Sequence, residues 1–206
     1  MLFPNRRYDD IAGFGTAYFQ EMSKAAAAID GAALDAAATC LAAAIDQRRW
    51  IYACGNGGSA AIANHLFCDF VKSIQTDTRR KPRVVPLSAQ IEMITALGND
   101  IGYDEVFVYQ LSTLATTGDV LLTVSSSGDS PNIVKAVAWA KANGLATIAL
   151  TGFDGGRSAR LADINIHVPA RNYGVIEDLH QSVMHILAQY LRQGGMPDDL
   201  FGQRKF

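Results

Sequence analysis

Four histidines are scattered through 206 residues, and two of them share a helical face with a carboxylate. His65 and Asp69 are four apart, which places their side chains within about 40° of each other on an α-helix. Glu177, Gln181 and His185 repeat that interval, with His180 three beyond Glu177. An imidazole beside a carboxylate can relay a proton or hold a divalent metal ion. The plainer reading of each pair is a solvated i,i+4 contact or a core histidine satisfied by its neighbour. Leu179, Val183, Met184 and Ile186 keep that reading open for the second helix. His167 alternates with Ile164, Ile166 and Val168 in a strand pattern and reads as structural.

Two turns rich in small polar residues offer a place for an anion. In Gly55-Asn56-Gly57-Gly58-Ser59, three glycines and two hydrogen-bonding side chains stand where a helix begins, so backbone N–H groups can approach a ligand closely. In Ser125-Ser126-Ser127-Gly128-Asp129-Ser130, four hydroxyls surround another helix start. One serine there would serve as a cap, but four in six residues exceed what capping requires and point to an oxyanion, phosphate first. A dinucleotide is the rival, since Gly55, Gly57 and Ala60 satisfy the loose G-x-G-x-x-A pattern. That scheme wants a carboxylate at the end of the following strand, where Pro86-Leu87-Ser88 stands instead. A Walker A lysine is missing too.

These turns must be positioned by regular elements, and the apolar pattern supplies them. Strands are expected at Trp50–Cys54, Arg83–Ser88, Asp119–Ser125, Ala146–Gly152 and Ile164–Pro169. Between them, helical patterns run over Ala60–Ser73, Ala89–Leu97, Asp104–Leu114, Ile133–Asn143 and Arg157–Leu161, and Val175–Arg192 closes the fold. Gly98, Asn99 and Asp100 fall in a loop on this reading. Before the first strand, Tyr8–Gln47 reads as two helices that break near Asp30-Gly31. Alternation of strand and helix predicts an α/β three-layer sandwich around a parallel sheet of roughly five strands, preceded by N-terminal helices. One domain over residues 1–206 is expected, with a helical extension 1–48, a core 49–193 and a short tail 194–206.

Composition limits the partners. Lys and Arg number 18 against 20 Asp and Glu, a net charge of −2, which leaves no broad cationic surface for a phosphate backbone. No nucleic acid is expected as a ligand. Asp30 and Asp35 interrupt the Ala-rich stretch, and Pro4, Arg6 and Arg7 break the apolar start, so neither a membrane span nor a signal peptide is expected and the cytoplasm is the default location. Cys40, Cys54 and Cys68 have no paired spacing and read as reduced thiols.

Together, GNGGS, His65 and Asp69, the GND at Gly98–Asp100, SSSGDS at Ser125–Ser130, LTGFDGG at Leu150–Gly156, and IEDLH followed by His185 resemble the sugar isomerase (SIS) domain family, and within it the phosphoheptose isomerases. The likeness runs over nearly the whole chain. It implies a flavodoxin-like SIS fold and an aldose–ketose isomerase of a sugar phosphate, sedoheptulose 7-phosphate to D-glycero-D-manno-heptose 7-phosphate, acting through a cis-enediol. It further implies that Ser125, Ser126, Ser127 and Ser130 hold the phosphate, and that Asn56, Gly57, Gly58, Ser59, Asp69, Asn99, Asp100 and Glu177 contact substrate. His65, Asp69, Glu177 and His185 match the family's catalytic and zinc-binding positions, with Asp69 as base and His185 as its acid/base partner. A homotetramer with sites between subunits is implied as well, with His180 a candidate for a neighbour's pocket.

This chain departs from the family pattern twice, carrying Asp69 in place of glutamate and Glu177 in place of glutamine. Asp69 is one methylene shorter, and Glu177 adds a charge that would formally neutralise a zinc site and weaken its pull on a carbonyl. Glu177 as the base, with Asp69 only a metal ligand, is an open alternative. SIS domains also serve as non-catalytic sugar-phosphate sensors or protein-binding regulators, including one that associates with a replication initiator. Those relatives tend to lose the acid/base set, so its presence here favours an enzyme.

Overall fold

A computed structural model describes residues 2–206. The N-terminal helices are α1, Ile11–Ala27, and α2, Gly31–Asp46. Each starts on an aspartate that accepts from a free N–H of its first turn, Asp10 from Gly13 at 2.7 Å and Asp30 from Ala32 at 2.9 Å. The core then alternates as β1 Trp50–Gly55, α3 Gly58–Cys68, β2 Arg83–Pro86, α4 Ile91–Asp100, α5 Val106–Leu114, β3 Val120–Ser125, α6 Pro131–Ala142, β4 Ala146–Thr151, α7 Gly156–Leu161, β5 Ile164–His167 and α8 Tyr173–Gln193. Pro131 occupies the first turn of α6, where its missing N–H costs nothing. No single helix among the described residues is long and apolar enough to cross a membrane.

All five strands are parallel, in the order β2-β1-β3-β4-β5. Chain direction across the sheet reverses between β1 and β3, and a ligand crevice opens at the carboxyl ends of strands at such a point. The two polar turns follow these two strands. Alternate residues of each strand feed opposite faces. Ile51, Ala53, Leu122 and Val124 pack beneath α2, α3 and α8, while Tyr52, Cys54 and Leu121 pack beneath α4, α5 and α6. Burial on both faces explains why these strands read as continuous apolar runs. Helix α1 docks outside this core against α8, through Ala25, Val175 and Leu179.

Three local expectations are corrected. Gly98, Asn99 and Asp100 form the last turn of α4, not a loop, because the apolar stripe of this helix carries through to the buried Leu97 and the chain is released only at Gly102, φ 142°. The helix expected from Ala60 starts earlier, at Gly58, and widens after Cys68 into a π-helical turn, Asp69–Ile74, that keeps Phe70 and Ile74 fully buried. Strand β2 ends at Pro86, short of the expected Ser88: after a last ladder bond from the Leu87 N–H to the Ala53 carbonyl at 2.8 Å, the Ser88 side chain rather than its backbone bonds Gly55.

Candidate functional site

The glycine-rich turn is shaped by close backbone approach. A Cβ on Gly55 would lie 2.5 Å from the Ser59 carbonyl oxygen, and Gly57 holds φ 55°, so a side chain is excluded at the first by contact and disfavoured at the second by conformation. Ser88 fastens the end of β1, donating to the Gly55 carbonyl at 2.8 Å and accepting from the Gly55 N–H at 3.2 Å. Asn56 makes a reciprocal amide pair with the buried Asn132 of α6, each donating to the other at 2.9 Å, and accepts from the Tyr103 hydroxyl at 3.0 Å.

The serine loop is packed from below. Gly128, φ 62°, passes so close to the turn before α7 that a Cβ there would sit 2.0 Å from the Gly155 carbonyl oxygen. This contact is what the glycines of LTGFDGG provide. Ser125 accepts from the Gly128 N–H at 3.1 Å and Ser127 from the Asp129 N–H at 3.2 Å, while the buried Ser126 hydroxyl has no partner among the described residues. An unpaired buried hydroxyl costs free energy unless a ligand completes it. Asn56, Ser59, Ser125, Ser126, Ser127, Ser130 and Glu177 line one pocket, together with Tyr173. Glu177 hangs over the glycine turn, where a Cβ on Gly58 would fall 2.5 Å from its Oε2.

A second group lies farther along α3 and α8. His65 Nε2 stands 3.3 Å from Asp69 Oδ1, and His185 Nδ1 stands 3.0 Å from Asp69 Oδ2. The two imidazoles meet edge to face at 5.3 Å between ring centres. Asp69 is largely buried, its side chain 11% exposed against 44% and 43% for the histidines. Among the described residues, no hydrogen bond is directed at its Oδ2 despite the near approach of His185. Potential ligand atoms of the trio all lie within 4.8 Å of one another, a possible metal-binding group.

Thus the fold gathers His65, Asp69 and His185 at one place, and Asn56, Ser59, the serines and Glu177 at another. Glu177 is not a member of the metal-binding group: it precedes His185 by eight residues, about 12 Å along α8. Asn99 and Asp100 are exposed, with Asn99 donating to Asp100 at 2.7 Å, and neither lines the serine pocket. His180, expected as a candidate for a neighbour's pocket, is corrected: it is fully buried in its own chain, its Nε2 3.1 Å from the Thr151 carbonyl oxygen, and burial pushes its pKa down to about 4. His167 contacts the Thr151 hydroxyl at 3.1 Å, as its strand position suggested. Cys54 is a fully buried core residue, and desolvation pushes its thiol pKa up.

Tyr103, Asn132 and Tyr173 belong to the serine pocket or its wall, yet no motif spacing marks them. Tyr173 precedes the first residue expected in α8, and Asn132 follows the serine run, so adjacency to known turns was the only signal available.

Residues 16–152 match the model of the SIS domain family. A phosphoheptose isomerase from Aliarcobacter butzleri is 40% identical over 141 residues, covering 68% of this chain and 74% of the relative. One from Nitratiruptor sp. is 40% identical over 152 residues, 74% and 80% of the two chains. The solved phosphoheptose isomerase of Neisseria gonorrhoeae superposes with a TM-score of 0.81 at 31% identity, covering 89% of this chain and all of that one.

Proposed function

The chain belongs to the SIS domain family, grouped with the phosphoheptose isomerases, and from that membership we propose that it converts sedoheptulose 7-phosphate to D-glycero-D-manno-heptose 7-phosphate. The observation that carries this reading is the pairing of an unsatisfied serine pocket at the crevice with an imidazole–carboxylate trio that α3, the turn after it and α8 bring together. The serine loop takes the phosphate, with the unpartnered Ser126 hydroxyl and the N–H groups of the loop as donors. The sugar chain then leads C1 and C2 away from the anion site toward an acid/base pair.

Asp69 takes a proton from C1 of the ketose while a proton from His185 reaches the C2 oxygen, giving the cis-enediol. Return of the proton to C2 and loss of the proton on O1 leave the aldehyde at C1. The donor set fits zinc: two imidazole nitrogens and a buried carboxylate oxygen without a directed hydrogen bond. His65, Asp69 and His185 would hold it, and when bound it would polarise the substrate carbonyl. Only one carboxylate belongs to the group, so the charge neutralisation expected from Glu177 does not arise there. Glu177, beside Gly58 in the phosphate pocket, instead contacts the sugar hydroxyls.

Exposed apolar side chains flank the trio, Phe67 on α3 and Ile186 and Tyr190 on α8, and Ile11 and Phe19 stand out on α1. They support a homotetramer in which neighbouring copies complete the sites. Light scattering at a tetramer mass supports that assembly, and a monomer mass rules it out. Activity is tested by turnover of sedoheptulose 7-phosphate against a panel of ketose phosphates. Binding without conversion of any of them would identify a sensor instead.

A further inference from the structure

Residues 204–206 fold back toward Asp69 and His185. Arg192, in the last turn of α8, is 5% exposed and spreads its guanidinium over three partners. Its Nε donates to the Thr76 carbonyl at 3.2 Å, Nη2 to Asp77 Oδ2 at 3.0 Å and Nη1 to the Lys205 carbonyl at 3.0 Å. Arg204 Nε stands 3.5 Å from the same Asp77 oxygen. Asp77 holds φ 61°, a left-handed conformation that aspartate tolerates better than most residues. Thr76 and Asp77 follow the π-helical turn that Asp69 begins, so Arg192 ties that turn, α8 and the tail into one unit. The ring of Phe206 then stacks on this guanidinium, its centre 4.7 Å from Cζ.

Packing accounts for the clamp, but not for where it leaves the ring. A cavity of about 340 Å³ is lined by Asp69 and His185 and also by Arg192 and Phe206, with Ser73 and Gln189 supplying polar groups. Phe206 stays half exposed there, so its ring is a wall rather than a core side chain. The cavity shares no lining residue with the serine pocket, which Glu177 overhangs. Glu177 and His185 stand about 12 Å apart along α8. At carbon–carbon bonds of ~1.5 Å, an extended seven-carbon chain with its phosphate ester reaches about 10 Å, enough to lead from one pocket to the other. Given the isomerase reading above, on which this inference rests, we propose that the cavity seats the unphosphorylated end of the sugar and that Phe206 is a specificity-determining residue. Its ring closes the cavity beyond C1 and limits the length of ketose phosphate that can bring C1 to Asp69.

The test compares kcat/KM for sedoheptulose 7-phosphate and for an octulose 8-phosphate, one carbon longer, in wild type, Phe206→Ala, Phe206→Leu and Phe206→Tyr. Wild type is expected to prefer the heptulose. In Phe206→Ala the octulose should gain at least ~10-fold relative to the heptulose, the discrimination that one carbon in a pocket commonly carries. Phe206→Leu should gain less, and it carries the test if the alanine variant does not fold. Phe206→Tyr keeps the ring and should keep the wild-type ratio. A general loss of stability would lower both rates together and leave the ratio alone. An unchanged ratio in the smaller variants, or a wild type that turns over both sugars equally, overturns the role of Phe206 and leaves the isomerase reading standing. A wild type that converts neither sugar overturns the isomerase reading, and calorimetric binding of the same two compounds then decides the wall. Relatively tighter octulose binding in Phe206→Ala supports it, while an unchanged ratio or no binding of either compound overturns it.

Discussion

His185 Nδ1 lies 3.0 Å from Oδ2 of Asp69, joining the last helix of the fold to the π-helical turn that follows α3. If this contact is the acid/base couple, His185→Asn should lower the isomerisation rate ~100- to 10,000-fold with substrate affinity little changed. Asp69→Glu, which keeps the carboxylate and adds one methylene, should retain a measurable fraction of turnover. Steady-state kinetics on both variants checks the pair, and a His185→Asn enzyme of unaltered kcat would remove the histidine from the chemistry.

The glycines predict a contrast between function and stability. At Gly58 an alanine meets the flexible end of Glu177, so Gly58→Ala should fold normally, displace that carboxylate and raise KM. At Gly128 an alanine meets backbone and a left-handed conformation, so Gly128→Ala should destabilise the protein by at least about 2 kcal/mol. Thermal unfolding read beside kinetics separates the two cases.

Removing the unpartnered hydroxyl addresses the phosphate. A hydrogen bond to a charged group is worth ~1.5–3 kcal/mol, so Ser126→Ala should raise KM for the phosphorylated sugar by about tenfold or more. Its stability should hold or improve, since the hydroxyl has no partner among the described residues. An unchanged KM would place the phosphate elsewhere.

The buried His180 predicts acid sensitivity. Burial favours its neutral form and lowers its pKa from 6.5 to about 4, so between those values the unfolded chain binds a proton that the folded chain refuses. The stability this histidine contributes is full above pH 6.5 and is lost as the pH falls toward 4, a difference of about 3 kcal/mol. Denaturant titrations from pH 7 to pH 4 should show that slope, and His180→Gln, whose side chain does not titrate, should flatten it.

Much of this architecture was legible from the residues. Apolar runs marked the central strands β1, β3 and β4, which are buried on both faces, while the edge strand β5 showed as alternation, and the glycine and serine turns, where an anion site was expected, fall at the switch point. The interval between His65 and Asp69 led directly to their contact, since α3 stays regular up to Cys68. What periodicity could not supply was distance along a helix. Glu177 and His185 share a stripe, yet two turns separate them, so one face served two different neighbours. The end of α4 was misplaced because Gly98 and Asn99 look like punctuation, while the release of the chain waits for Gly102. Gln181, noted only for its interval, acquires a partner once the ring of His185 is positioned.

The central claim is that this chain isomerises a phosphorylated ketose by proton transfer through Asp69. Proton NMR of sedoheptulose 7-phosphate incubated with the zinc-supplemented wild type and with Asp69→Asn tests it in one comparison. Aldose signals should grow with the wild type and be at least ~100-fold slower with the variant. Equal rates for the two proteins, or no aldose from the wild type, would contradict it.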